Sequence, residues 1–359
     1  MVLQLTGVAN AILKNIQTIA GLNDPQTKIT PIGFLRMLLE NNAMVSVNNL
    51  PELQAGKTVD IDVRYMQRGI ESEVSDKDNC DTDVTPAWKS TKIGKPKYNK
   101  ISIFISDEDM ATYSLAADDP VQLGDKAVSV SRALYETVMT HVNALLQKID
   151  GNLVAEQATK WGMNAATGNS NPTQIKLTED ITMTDGIVKL VLDSETNEVN
   201  DQLLICGNGL VRAFDIYNSM KTGVDNKGFG ALNLRTYADP KTTGSWGANH
   251  FGVFAKGTVG FVDICKYRKG AGERGTSHFF TMPMPVLLNG QIIPIDFDCQ
   301  LKYADCPVFD DNGDKVGDRG WLLTISKTYG LFNLPSDCFK EGDPLAGVNG
   351  SFHYVVNNA

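Results

Sequence analysis

The sequence predicts an α+β protein, and three observations carry that expectation. A strictly alternating run from Thr58 to Tyr65 puts Val59, Ile61 and Val63 on one face, the period of a half-buried strand. From Ala127 to Trp161 apolar residues recur every three or four positions with no proline inside, the period of a long amphipathic helix. Beyond a Gly/Asn-rich linker at Gly168 to Pro172, short helical and strand patterns alternate. With 359 residues, 42% of them hydrophobic and 21% charged, the chain can bury a large core and is far from disordered compositions.

Residues 1–50 read as an N-terminal arm with two short helical stretches, Val8 to Ile19 and Ile32 to Leu39, joined by Asn23-Asp24-Pro25. Residues 51–110 read as an extended β-hairpin loop, opened by the strand at Thr58 and closed by a matching strand, Ile101 to Ser106. Residues 111–175 hold the long helix, in which Val130, Leu134, Val138, Val142, Leu145, Ile149 and Leu153 line one face and Gly151 is the weak point. At 1.5 Å per residue this helix would span roughly 50 Å, which implies an elongated molecule with a spine. Residues 176–320 read as mixed α/β: helices at Asp185 to Thr196 and Gly209 to Met220, a buried strand at Leu203 to Cys206, a glycine-rich loop from Lys221 to Gly252, a strand at Thr258 to Cys265, and short strands in Val286 to Phe297. Residues 321–359 supply late strands at Trp321 to Ser326 and Phe352 to Val356.

Between the two strands of the loop the charge is split into blocks. Glu71, Glu73, Asp76, Asp78, Asp81 and Asp83 come first, followed by Lys89, Lys92, Lys95, Lys97 and Lys100. An excursion with so little core-forming material cannot bury itself and should project. Its arms either pair internally as a solvated hairpin or pair with a neighbouring copy, which would set orientation and encounter rate more than affinity. These eleven residues are the candidate contact residues.

The totals exclude several classes. A net charge of -9 repels phosphate backbones, so sequence-specific nucleic-acid binding is not expected. No run of about 18 apolar residues occurs and the first twenty residues lack a basic stretch before an apolar one, so a cytoplasmic product without a membrane partner is expected. Cys80, Cys206, Cys265, Cys299, Cys306 and Cys338 are scattered with no Cys-x-x-Cys pair, which points to core thiols instead of zinc ligands or disulfides.

This order of parts resembles the HK97-like major capsid proteins of tailed bacteriophages. The segments that carry the resemblance are TVDIDVRYMQRG, KISIFISDEDMATYS, ALYETVMTHVNALLQKIDGNLVAEQATK and GIVKLVLDSETNEVNDQLLICGNGLVRAFDIYN. It implies an N-terminal arm, an extended loop, a peripheral domain built on the spine helix, and a mixed α/β axial domain with Gly223 to Gly252 near the capsomer centre. The function implied is self-assembly into an icosahedral head around the DNA genome, in the virion, after synthesis in the host cytoplasm. Implied partners are the chain itself as hexamers and pentamers, scaffold, portal and decoration proteins, and non-specific contact with packaged DNA. Some family members cross-link a loop lysine to an asparagine of a neighbour; no pattern here identifies the asparagine or the assisting carboxylate. An encapsulin-like cellular shell of the same fold shares these features, and a cytosolic α/β enzyme or binding protein is the alternative of another class.

The remaining motifs fail on mechanism, so no catalytic residue, cofactor or metal is expected. Gly270-Ala-Gly272-Glu-Arg-Gly275 has the G-x-G-x-x-G spacing, but Pro283 and Pro285 leave no room for the helix that would receive a pyrophosphate, and the lysine of a P-loop is missing. Asp310, Asn312 and Asp314 have calcium-loop spacing, yet Lys315 replaces the turn glycine and Trp321 the bidentate carboxylate; a hairpin turn at Asn312-Gly313 is expected instead. His141, His250, His278 and His353 lie far apart in the chain. Asp296 and Asp298 share a strand face without a sequence sign of a shared cleft.

Overall fold

The computed structural model describes residues 32–41, 46–66, 88–106, 120–123, 126–168, 171–177, 184–199, 202–209, 211, 234–267, 272–274, 277–288, 291–304, 307–309, 311–317, 319–335 and 345–358. Helix α1 (Gly33–Asn41) is followed by β1 (Ser46–Val47), helix α2 (Leu50–Gln54) and β2 (Asp62–Met66). The expected helix at Val8 to Ile19 and the acidic block at 71–83 lie outside the described residues. β3 (Trp88–Lys92) pairs antiparallel with β2, Met66 opposite Trp88 and Asp62 opposite Lys92. β4 (Lys97–Ser106) does not close that hairpin. The sequence reading matched Ile101 to Ser106 with the strand at Thr58, whereas the true partner of β2 is WKSTK, which has no apolar alternation and is held by backbone pairing.

After the small hairpin β5 (Pro120–Leu123) and β6 (Lys126–Ser131) comes the long helix α3 (Arg132–Gln157). It starts five residues later than the periodicity predicts, because Val128 and Val130 alternate with serine and join β6 as β-branched residues favour. Its 26 residues span roughly 39 Å. Gly151 does not break it. Val138, Val142, Leu145, Leu146, Ile149 and Leu153 form its buried stripe, and each such side chain contributes about 1.5–3 kcal/mol of gross burial.

That stripe lies on a six-stranded antiparallel sheet. β11 (Val259–Ile264), β12 (Gly272–Arg274), β13 (Ser277–Leu288), β14 (Gln291–Ala304) and β17 (Gly320–Asn333) run in the order β11-β17-β14-β13-β12, and β4 pairs with β17 from Lys97 opposite Tyr329 to Ser106 opposite Gly320. Ile103, Ile105, Leu301, Cys299, Phe297, Leu323, Ile325 and Tyr329 meet α3 and α1 in one core. Polar ties fix the helix register: Asn152 Nδ2 donates to Asn99 Oδ1 and to Tyr329 Oη, both at 3.0 Å. Asp298, also buried, accepts the backbone N–H groups of Lys266 and Tyr267 at 2.8 Å, which anchors the loop after β11 and gives this carboxylate a structural role. Lys327, 1% exposed, bonds Asp263 at 2.5 Å and the Asp296 carbonyl between the rings of Phe261 and Phe297.

The expected short strands near Val286 to Phe297 are the outer part of one long hairpin, paired from Ser277 with Lys302 out to Leu288 with Gln291. Pro285 stands directly opposite Pro294 where β12 and β17 no longer flank the pair, so neither missing N–H interrupts a ladder. The glycine-rich 270–275 run contributes β12, which turns back into β13 with no intervening helix. β15 (Val308–Phe309) and β16 (Lys315–Gly317) form the small hairpin around Asn312-Gly313, with Gly313 at φ +87°.

A second sheet of five strands runs β7-β18-β10-β8-β9, with β7 (Thr173–Leu177), β8 (Leu203–Gly207), β9 (Leu234–Ala238), β10 (His250–Ala255) and β18 (Ser351–Asn358). Helix α4 (Thr184–Thr196) spans the range expected for it, and β8 is buried along its whole length, as an unbroken apolar run demands. The expected helix at Gly209 to Met220 falls almost wholly outside the described residues. The Lys221 to Gly252 loop expectation is corrected: it contains β9, the short helix α5 (Thr242–Ser245) and the start of β10. Tertiary pairing with β8 recruits short segments that lie in a glycine-rich stretch of the chain and do not announce themselves there. The late strands divide between the sheets, β17 in the first and β18 in the second. Cys206, Cys265 and Cys299 are free and buried.

On this second sheet His250 Nδ1 lies 2.9 Å from His353 Nε2, and the His353 ring stacks on Trp161. Burial, and next the neighbouring imidazole, hold His353 down to about 4. A histidine takes up a proton near 6.5 when unfolded. Stability contributed by neutral His353 is therefore present above about pH 6.5 and is lost as pH falls toward 4. Replacing His353 with glutamine should flatten the fall in melting temperature over that window; an unchanged acid profile would show that other groups govern it.

Candidate assembly surface

The base of the β2–β3 hairpin is rooted firmly. Leu53, Ile61, Val63, Val262, Ile264 and Phe332 form a compact apolar cluster that seats the root on the six-stranded sheet. Asn49 doubles the strand edge, its Oδ1 accepting from Asp62 N at 3.0 Å while its Nδ2 donates to the Asp60 carbonyl at 2.7 Å. Ile61 and Ile93 extend the pairing through Gly94, whose φ of +100° makes the turn into β4. Residues beyond Met66 and before Trp88 lie outside the described residues, including Glu71, Glu73, Asp76, Asp78, Asp81 and Asp83.

Of the five candidate lysines, four stand in solvent. Lys89, Lys92, Lys95 and Lys100 are exposed. Lys97 is engaged within the chain: its Nζ lies 2.8 Å from Glu156 Oε2 and donates to the Asn152 carbonyl at 3.0 Å, which straps β4 to the last turn of α3. Spacing along the sequence could not separate Lys97 from its neighbours. The alternation of β4 does so, because Lys97, Asn99 and Ile101 face the helix while Tyr98, Lys100 and Ser102 face away.

Similar structures among solved proteins include a cyanophage capsid. No family model and no curated protein matches the chain. The capsid structure of the cyanophage P-SCSP1u has 14% identity over 83% of each chain, with a TM-score of 0.41. A structure of Mycobacterium phage Bobi has 10% identity over 88% of this chain and 92% of that chain, with a TM-score of 0.42. The satellite phage P4 procapsid including size determination (Sid) protein has 10% identity over 82% of this chain and 84% of that chain, with a TM-score of 0.34.

Two exposed aromatic residues near these lysines in the chain are missing from the sequence candidates. Trp88 is 54% exposed with the Arg64 guanidinium 4.2 Å from its ring, and Tyr98 is 50% exposed with Lys266 Nζ 5.0 Å from its ring. A cation over an exposed ring adds about 0.5–1 kcal/mol and holds the ring in one orientation. Large, rigid aromatic side chains beside arginine are the residue types enriched where proteins meet. Trp88 immediately precedes Lys89, but nothing in the sequence showed that its ring is exposed.

Proposed function

We propose that this chain is the major capsid protein of a tailed bacteriophage, a shell subunit of the HK97-like class. The observation that carries the reading is the order in which the elements are laid down. Among the described residues a short helix is followed by a rooted pair of strands flanking the charged stretch of the sequence, a 26-residue helix backed by a long antiparallel sheet, and a second mixed sheet to which the last strand returns. In this reading the six-stranded sheet with α3 is the peripheral domain and the five-stranded sheet with α4 is the axial domain. In this reading β4, β11 to β14 and β17 go with α3, and β18 goes with β8.

The hairpin acts as the extended loop. Lys89, Lys92, Lys95 and Lys100 with Trp88 meet the acidic block, residues 71–83, of a neighbouring subunit. Opposite charge steers encounter and fixes register, while apolar and backbone contacts overcome the repulsion between subunits of net charge -9. Scaffold, portal and decoration proteins are the expected partners, packaged DNA is contacted without sequence preference, and the virion is the site of action. Catalysis has no part in the proposal.

Negative-stain electron microscopy of the full chain, alone and with any scaffold protein encoded beside it, tests the reading. Closed shells or capsomer rings are expected. A compact monomer under every assembly condition would sink it, and closed shells from a gene set beside a cargo enzyme would move the assignment to a cellular compartment.

A further inference from the structure

Helix α1 begins against two carboxylates from distant parts of the chain. Phe34 N donates to Asp239 Oδ2 at 2.9 Å and Leu35 N donates to Asp150 Oδ1 at 2.8 Å, and both aspartates are fully buried. First-turn N–H groups have no partner inside their own helix, so these carboxylates cap them and meet the positive end of the helix dipole. Asp150 sits on α3 and Asp239 follows β9, so the start of α1 is tied to both sheets at once. Gly33 permits the approach, since a Cβ there would stand 2.4 Å from the Ala238 carbonyl oxygen.

Lys241 supplies the cation. Its Nζ donates to Asp150 Oδ2 at 2.8 Å and to the Gln147 carbonyl at 2.7 Å, and its backbone N donates to Asp239 Oδ1 at 2.9 Å. Cys206, fully buried on β8, faces the pair as a neutral thiol, held well above its usual range by burial and then by the two carboxylates. The other charged groups at α1 are Arg36, part-buried in its first turn, and Glu40 and Arg235, 3.8 Å apart and joined by the Tyr237 hydroxyl at the far end of the helix. The two carboxylates themselves are in contact with one ammonium, that of Lys241, and a helix terminus worth roughly half a charge. With both ionised the buried site holds excess negative charge; one proton held by the pair removes it.

We infer that Asp150 and Asp239 form a proton-gated latch, which holds α1 against α3 while the pair carries one proton and loosens it once both are ionised. Burial first, and then Asp239, push Asp150 up to about 7, against the pull of Lys241. An aspartate ionises near 4 when solvated. The contribution of the latch is therefore full at the acid end, declines as pH rises above about 4 and is lost once pH passes about 7.

Hydrogen exchange on the full-length chain reads the latch directly, with protection of the 32–41 segment corrected for the intrinsic pH dependence of exchange and compared with β17. Protection of α1 should fall at least about tenfold between pH 5 and 7.5 and level off above, because one pH unit is a tenfold change for one coupled proton. Asp150→Asn cannot ionise and should give a flat profile. Lys241→Met removes the cation that favours ionisation, so its levelling point should move to higher pH, and this arm decides the matter if the asparagine variant fails to fold. A flat wild-type profile overturns the latch, as does a wild-type profile retained in Asp150→Asn or a levelling point in Lys241→Met that stays or moves down.

Discussion

Replacing Gly33 with alanine is expected to destabilise the protein by about 3 kcal/mol. The added Cβ would lie 2.4 Å from the Ala238 carbonyl oxygen, 2.7 Å from its carbon and 2.9 Å from Asp239 Cβ. That segment has little room to retreat, because Ala238 pairs with Gly207 and Asp239 N donates to the Gly207 carbonyl. Helix α1 must shift instead, stretching the bonds from Phe34 N and Leu35 N and leaving two buried carboxylates short of donors. Alanine is the better helix former by up to about 1 kcal/mol, an effect of opposite sign that the overlap exceeds. Chemical denaturation checks the balance: a variant as stable as the wild type, or more so, would show that the helix and the β9 end adjust freely.

Reversing Lys89, Lys92 and Lys95 to glutamate should leave thermal unfolding of the subunit nearly unchanged and slow assembly at least roughly tenfold, since like charges brought together at an interface cost several kcal/mol. The three are exposed, so the fold loses little when they change. Lys97 is left intact, because a glutamate there would face Glu156 and unstrap β4 from α3. The defect should be greatest at low salt and partly relieved near 1 M, where screening shortens to about 3 Å. Light scattering during assembly follows this, and unaltered kinetics at low salt would rule out pairing of these lysines with a neighbouring acidic block.

Elements with strong internal period were legible in the sequence. The stripe Val138 to Leu153 on α3, the isoleucines of β4 and the unbroken apolar run of β8 all fall where the pattern puts them. Less legible were elements that exist only because something pairs with them. β3 is WKSTK, with no apolar face, and β9 and β10 sit in a stretch whose glycines read as loop; each is a strand because a neighbour completes its backbone hydrogen bonds. The same limit applied to the candidate surface. A list of five lysines was readable, but which one is tied down by Glu156 and which aromatic rings stand beside the rest required the fold.

By itself the sequence determined the α+β class, the long helix with its buried face, the free core cysteines at 206, 265 and 299, and the charge asymmetry of the excursion, because each is set by local period or composition. Tertiary structure alone decided the strand partners, the assignment of β17 and β18 to different sheets, and the meeting of Asp150, Asp239 and Lys241 at the start of α1. The bonds at the start of α1 alone join residues as many as 205 positions apart. No local pattern encodes a contact that exists only after two sheets and a helix have packed, and the balance of buried charge at that contact is settled by burial, which a sequence does not display.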